Sequence, residues 1–485
     1  ILISSFYFLA NSQEKLQLSL PEVVDIASQQ SIDAFRNKNM YMASYWEFRF
    51  YKAERLPSLS LSASPLDFNR YRRKEYNFET NEEEFRLREY FNSDLSLNIS
   101  QNVGLTGGRL FLSSDIGMVK NLGGDKNTSF SATPIGIGFS QELNGYNALK
   151  WQSKIEPIKF EKAKKELIQD HEDLRIKSTM RFFSLANAQI QKGIAEIKYA
   201  NTDTLFKIGK GRYQVGTITQ DELLKMELNL LNAEQALSMA KLEEKRAQAD
   251  LNSFLGMPKN TEIECIIPSD IPKLQIDPDE AISQAVLNNP EMLNHQQQKL
   301  QEDENVARTK SQTGLNTSLF AMYGLSQSAD KFENVYQEPD KSQRFSLGLN
   351  VPIVDWGRRK GRYSMAQSNR KVALATIEQE RIDFEQDIYQ SVLEFNLQGG
   401  QVINSAKADT VAQLGYEVTF QRFLIGKIDV IKLNISSTDQ ETARIAYLNQ
   451  LRNYWVSYFR LRSLTLFDFE TNKPLMVDFD KILAN

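Results

Sequence analysis

The chain has 485 residues, of which 41% are apolar and 25% charged, and a net charge of −4. That balance excludes a nucleic-acid binder built on a basic face, and a single cysteine, Cys265, excludes an intrachain disulfide framework or a multi-cysteine metal site. No stretch approaches the roughly 18 uninterrupted apolar residues of a transmembrane helix, so any passage through a membrane has to use β-strands.

The first run, Ile1 to Ala10, is apolar, and the small residues Ala10 and Ser12 suit cleavage before Gln13. Residues 1–12 therefore read as the remnant of a secretory signal. Helices are expected over 13–56, where Ser19-Leu20-Pro21-Glu22 supplies a cap, an early proline and an acid three residues after the cap. A β-region is expected over 57–143. Leu59, Leu61 and Ala63 alternate with Ser58, Ser60 and Ser62, and Leu95, Leu97 and Ile99 alternate with Ser96, Asn98 and Ser100. Such period-2 patterning predicts strands near 57–66, 92–103, 108–119 and 131–143. Glu82-Glu83-Glu84 reads as a solvated loop between them. Gly104 to Gly108 reads as a turn, because it lacks the Lys-Ser/Thr pair of a phosphate loop.

A helical hairpin is expected over 144–258. From Ile158 to Lys207 there is no proline and only Gly193 as a breaker, a rod of roughly 75 Å at the α-helical rise. Gly216 marks its turn, and Thr219-Gln220-Asp221-Glu222 is a capping box for the returning helix. After a linker over 259–276 the order recurs. Asp277-Pro278-Asp279-Glu280 opens helices over 277–314, strands follow within 315–353 (near 316–327 and 343–353), and a second hairpin occupies 354–465. Tyr363 to Phe423 reads as a long helix interrupted around Gly399-Gly400, with a turn at Gly426 and Asp429 as the next N-cap. A short segment, 466–485, closes the chain.

This recurrence is a tandem duplication. The helix starts at Ser19 and Asp277 lie 258 residues apart, as do Pro57 and Leu315, whereas Gly138 and Gly348, Gly216 and Gly426, and Ala233 and Ala443 lie 210 apart. The first copy therefore carries 48 extra residues between Pro57 and Gly138. Those residues contain a Gly-rich turn followed by Arg109 to Ile116, another alternating run. Either they add two strands to the sheet, six in all, or they fold back as a hairpin outside it.

The duplicated order of helix, strands and long hairpin, the stretch VPIVDWGRRKGRY (Val351 to Tyr363), the turns at Gly216 and Gly426, and the LNSFLGMP end of the first hairpin together resemble the TolC family of outer-membrane efflux proteins. The resemblance covers nearly the whole mature length. It implies a mixed α+β membrane protein, a homotrimer whose long α-helices form a periplasmic helical barrel and whose transmembrane strands form a shared β-barrel in outer-membrane lipid. It implies a passive exit duct for efflux or type I secretion, partnered by a periplasmic adaptor and an inner-membrane RND or ABC transporter, with no cofactor, no metal and no catalysis. Four strands per protomer are the family's usual number.

The resemblance also makes Val215, Gly216, Ile425 and Gly426 candidate adaptor-docking tips. Arg212, Asp221, Arg422 and Asp429 are the charged candidates for a periplasmic gate, although solvated helix ends would look the same. His171 and His295 lie 124 residues apart and read as surface residues. The competing class is a non-channel coiled-coil protein, a periplasmic adaptor or a cell-surface scaffold. An adaptor would show one helical hairpin between compact β-domains, and this chain has two in tandem.

Overall fold

The computed structural model describes residues 15–77, 81–123, 126–268 and 271–484, so the signal remnant expected at 1–12 lies outside the described residues. In chain order the first copy contributes β1 (Leu16–Ser19), α1 (Leu20–Gln30), α2 (Ile32–Ala53), β2 (Ser58–Asn77), β3 (Glu82–Val103), β4 (Gly108–Asn121), β5 (Thr128–Glu142), α3 (Ala148–Gln214) and α4 (Gln220–Leu255). After β6 (Ile263–Ile266), the second copy contributes α5 (Pro278–Asn288), α6 (Pro290–Ser311), β7 (Asn316–Ala329), β8 (Asp340–Asn350), α7 (Arg358–Leu424) and α8 (Val430–Thr465). The chain ends in β9 (Phe467–Asp468), β10 (Lys473–Pro474) and α9 (Phe479–Ala484).

The duplication survives in the element lengths. Helices α3 and α7 have 67 residues each, and α4 and α8 have 36 each, both pairs displaced by 210 positions. Helices α2 and α6 have 22 residues each, displaced by 258. One expected break is absent, and one rod starts earlier than Ile158. Helix α3 begins at Ala148 and runs through Pro157, and α7 runs through Gly399 and Gly400 without interruption. Proline removes one backbone bond and glycine costs about 1 kcal/mol of helix propensity. Packing offsets the glycines, since Phe395 and Val402 on either side are buried.

The chain divides into two compact units. The first comprises 1–43, 162–292 and 380–485. Its core gathers Val23 of α1, Phe182 and Leu185 of α3, Leu251 and Leu255 of α4, Ile388 and Phe395 of α7, and Leu451 and Tyr454 of α8. Side-chain amides hold the linker strands here. Gln189 accepts from the Cys265 backbone N–H at 3.1 Å and donates to the Ile263 carbonyl at 2.5 Å, as a neighbouring strand would. Asn396 makes the same two-way bond with the Ile276 backbone, 3.0 and 2.9 Å. Strand β6 pairs with β1 in parallel. The helix start at Ser19 forms as its sequence suggests, with Glu22 accepting from both the Ser19 backbone N–H and its hydroxyl, whereas the Asp277 side chain makes no capping bond.

The second unit comprises 44–161 and 293–379 and contains a single six-stranded antiparallel sheet, in the order β2-β3-β4-β5-β7-β8. The inserted residues are thus part of the sheet. Strand β3 pairs with β2 and β4, and β4 pairs with β3 and β5. The alternative of a hairpin folded back outside the sheet is overturned. Register shifts interrupt the ladders at Ser64/Asp67, Ser113/Asp115 and Ala132/Ile135, and bulges of this kind add twist and curvature.

Glu82-Glu83-Glu84 is not a loop. The three residues open β3 and pair with Asn77, Tyr76 and Glu75. Before Glu89, strands β2 and β3 form a two-stranded ribbon that pairs with no third strand among the described residues. Ion pairs rather than an apolar face knit it together: Arg70–Glu89 at 2.7 Å, Arg88–Glu75 at 2.6 Å, and Lys74–Glu83.

Candidate functional site

The sheet presents two chemically opposite faces, fixed by register. One row crosses all six strands as Leu59, Ile99, Leu112, Ile137, Tyr323 and Gln343. Residues directly opposite in a ladder share a face. This face is apolar and exposed: Leu59 is 66% accessible, Ile137 52% and Leu347 60%. The adjacent row, on the other face, reads Ser58, Ser100, Phe111, Gly138, Met322 and Arg344. Around it lie Ser60, Ser62, Asn98, Ser318 and Ser346, so this second face is small and polar. A sheet apolar on one face and small-polar on the other, with its apolar face uncovered, is the pattern of a transmembrane wall.

The edges of the sheet, β2 and β8, are long, and neither edge carries a further ladder among the described residues. Such edges invite pairing with another chain. With six strands alternating in direction, the two edge strands β2 and β8 run opposite ways.

In the helical unit the two hairpin turns have the same backbone. Gly216 and Gly426 adopt φ of +75° and +73°, a conformation in which a Cβ is strained. The N–H of Thr217 donates to the Arg212 carbonyl at 2.9 Å and that of Lys427 to the Arg422 carbonyl at 3.0 Å. Shorter bonds, Gly216 to Tyr213 and Gly426 to Phe423, complete two Schellman turns. Val215 is 74% exposed and Ile425 65%, and a Cβ added at either glycine would meet only open space. Each tip is an apolar residue beside bare backbone.

The charged candidates serve the tips locally. Asp429 is an N-cap and accepts from the Lys432 backbone N–H at 2.8 Å. Its counterpart is not Asp221 but Thr219, the N-cap of α4. Asp221 instead accepts from the Thr219 hydroxyl at 2.6 Å, which explains its different spacing from the glycine. Among the described residues none of Arg212, Asp221, Arg422 and Asp429 forms an ion pair. Near the second tip, Leu205, Phe423 and Leu433 form a small core of their own.

His295 lies with Glu291 and Glu380, their ligand-type atoms all within 4.8 Å of one another. His295 is 6% exposed and His171 is half-buried, so neither is the surface residue its sequence suggested. Burial, and then the charge of Arg175, hold the His171 imidazole below its ordinary value. Burial pushes the Cys265 thiol up to about 12, which keeps it protonated and inert.

The family comparison decides what this arrangement belongs to. The profile of the outer membrane efflux protein family matches residues 49–257 and 281–465, most of the chain. The chain belongs to this family. A search of curated proteins finds no match to it. Solved structures with the same fold include the outer membrane channel CmeC of Campylobacter jejuni, 16% identical over 96% of this chain and 88% of that one, with a TM-score of 0.67. A membrane protein from Pseudomonas aeruginosa is 14% identical over 95% and 92%, with a TM-score of 0.65. The open state of the MtrE outer membrane channel of Neisseria gonorrhoeae is 13% identical over 94% and 91%, with a TM-score of 0.56. The chain is thus an outer-membrane efflux protein, placed in the outer membrane and reaching into the periplasm.

Several features of this efflux protein were not singled out by sequence. Trp356 sits in the left-handed region at φ +56° and is 95% exposed. The neighbouring Asp355 side chain accepts from the Gly357 backbone N–H at 3.0 Å and opens α7. In the helical unit, Arg462 of α8 grips buried Glu172 of α3 with two bonds, 2.9 and 3.1 Å. Burial, the largest single influence, lowers the Arg462 pKa, but the Glu172 charge together with the hydrogen bonds to Tyr458 and Glu172 outweighs it and raises the value. The Arg462–Glu172 pair has no local sequence signal, because its two members lie 290 positions apart.

Proposed function

We propose that three copies of this chain close their sheets into one eighteen-stranded barrel, an exit duct with its apolar face on lipid and its small-polar face on the lumen. The observation that carries this reading is the continuous six-stranded sheet with an uncovered apolar face and two open edges. Closure removes both edges, and barrel diameter grows with strand number, so the pore is wider than a twelve-stranded one.

The helices support the same reading. Leu224, Leu228 and Leu231 of α4, and Val411, Leu414 and Val418 of α7, are each more than half exposed. Their three- and four-residue spacings are coiled-coil seams without a partner in the protomer. Neighbouring copies would cover them in a helical barrel. The tips Val215-Gly216 and Ile425-Gly426 then offer flat apolar ground to a periplasmic adaptor, which joins the duct to an inner-membrane pump. Arg212, Asp221, Arg422 and Asp429, charged and without an ion pair among the described residues, are the candidates for a gate between neighbouring copies.

Cysteine labelling in intact outer membranes tests the faces. Ser346→Cys should react with a water-soluble maleimide and the adjacent Leu347→Cys should not. Equal labelling at both positions, or the reverse order, contradicts the assignment.

A further inference from the structure

On the small-polar face, Phe111, Phe320, Met322 and Arg344 break the run of serine, asparagine and glycine. Phe111 of β4 lays its ring across β5, where Gly138 has no side chain; a Cβ at 138 would sit inside that ring. The ring then meets Phe320 of β7, with centroids 5.7 Å apart and planes at 29°. Arg344 of β8 lies over Phe320, its guanidinium carbon 5.4 Å from the ring centroid. Met322 fills the hollow above the next glycine of β5, Gly136. The result is an apolar shelf spanning three strands and ending in a guanidinium that makes no ion pair among the described residues. The carboxylates on these strands and this face, Asp115, Glu142 and Asp340, are each four residues from the row of Phe111, Gly138 and Arg344, about 13 Å along a strand.

Water has no use for such a shelf, and a neutral sugar or a cation would leave one half of it unmatched. A planar guanidinium takes a carboxylate or sulfonate through paired hydrogen bonds, and aromatic and thioether groups take an apolar body. We infer that Phe111, Met322 and Arg344 form a lumenal contact site for amphiphilic anions moving through the duct. The apolar body rests on Phe111 and Met322, and the anionic head is held by Arg344. Phe320 is a positioning residue, sandwiched between Phe111 and Arg344. This rests on the proposed reading of the small-polar face as lumen. Threefold closure repeats the shelf around one ring, and several weak sites favour entry without trapping the cargo.

Single-channel recording of the full-length protein in planar bilayers tests the site, with naphthalene sulfonate as the probe and naphthylmethylammonium as its charge-reversed counterpart. The sulfonate should block the open current in a concentration-dependent way, and the ammonium should not. Arg344→Gln should weaken the block about tenfold, as expected for loss of a charge-assisted bond, and Arg344→Lys should retain part of it. Phe111→Ser should also weaken it, while Tyr323→Phe on the opposite face should not. An open wild-type channel that the sulfonate does not block, equal block of Arg344→Gln and wild type, or equal block by the ammonium would each overturn the site. A protein that inserts but never conducts would overturn the channel reading as well, which separates the two failures.

Discussion

The two copies within this chain agree where they are helical and differ where they are strand. Both hairpins keep helices of 67 and 36 residues and the same Schellman turn. The sheet takes four strands from the first copy and two from the second. The physical reason lies in what each element must match. A helix in a bundle meets its neighbours along its whole length, so an insertion displaces every later side chain by about 100° around the axis. A sheet accepts a hairpin between two strands at little cost, because an even number of added strands leaves every neighbour antiparallel. Strands β3 and β4 enter in that way, between β2 and β5.

The comparison can be broken most forcefully at the tips. If the two turns are equivalent docking points, Gly216→Trp and Gly426→Trp should each impair export to a similar degree. The double variant should abolish it with assembly and membrane insertion intact. Drug accumulation in cells expressing the double variant at normal abundance measures this, and normal export would end the docking proposal.

The sheet insertion is next. Deleting residues 75–122 removes 48 positions and should leave β2 to pair with β5. Each copy would then supply four strands. Since diameter scales with strand number, the single-channel conductance should fall to about half. An unchanged conductance would mean that the inserted pair does not widen the pore.

The copies also diverge where the second helix of each hairpin ends. Arg462 grips Glu172, but the position 210 residues earlier is Asn252, fully buried and donating to the Lys259 and Thr261 carbonyls. Breaking the buried pair with Glu172→Gln should destabilise the helical unit by about 3 kcal/mol, because a desolvated guanidinium loses its doubly bonded counter-charge and keeps only Asp468 at 3.3 Å. Replacing both members with apolar residues of similar size should cost less than either single change. Denaturant unfolding followed by helical circular dichroism would show this ranking.

The smallest effect is a pH dependence. Burial, and then the charges of Asp173 and Glu166, push the Asp170 carboxyl up to about 6, above an unfolded value of about 3.9. A raised acid contributes stability that is fully present below the unfolded value and lost as pH rises through the folded one. Asp170→Asn, which cannot ionise, should therefore raise the Tm at pH 7 by about 1–2 °C and leave it nearly unchanged at pH 4. An equal shift at both pH values would show that the carboxyl is not strained by its charge.

Much of this architecture was legible in the sequence because duplication turns weak local signals into a constant offset. Gly216 and Gly426 are each unremarkable alone, yet their spacing fixed both hairpins. The wall strands were legible only where serine and leucine alternate. The ribbon before Glu89 was missed because Arg70, Lys74, Glu75 and Glu83 hold it by ion pairs, which look like a solvated loop in one dimension. Pro157 hid the first turns of α3, because a proline reads in sequence as a helix breaker while here it lies inside the helix. The Phe111–Phe320–Arg344 shelf spans 233 positions of sequence and exists only once register is set.

The central claim is that the inserted pair belongs to the membrane wall of a threefold barrel. Electron cryomicroscopy of the full-length protein in lipid nanodiscs tests it most directly, by counting strands around the ring. The account predicts a threefold ring of eighteen strands, with β8 of each copy paired to β2 of the next. A twelve-stranded ring with residues 92–119 lying outside it, or a monomer whose sheet edges stay open, would contradict it.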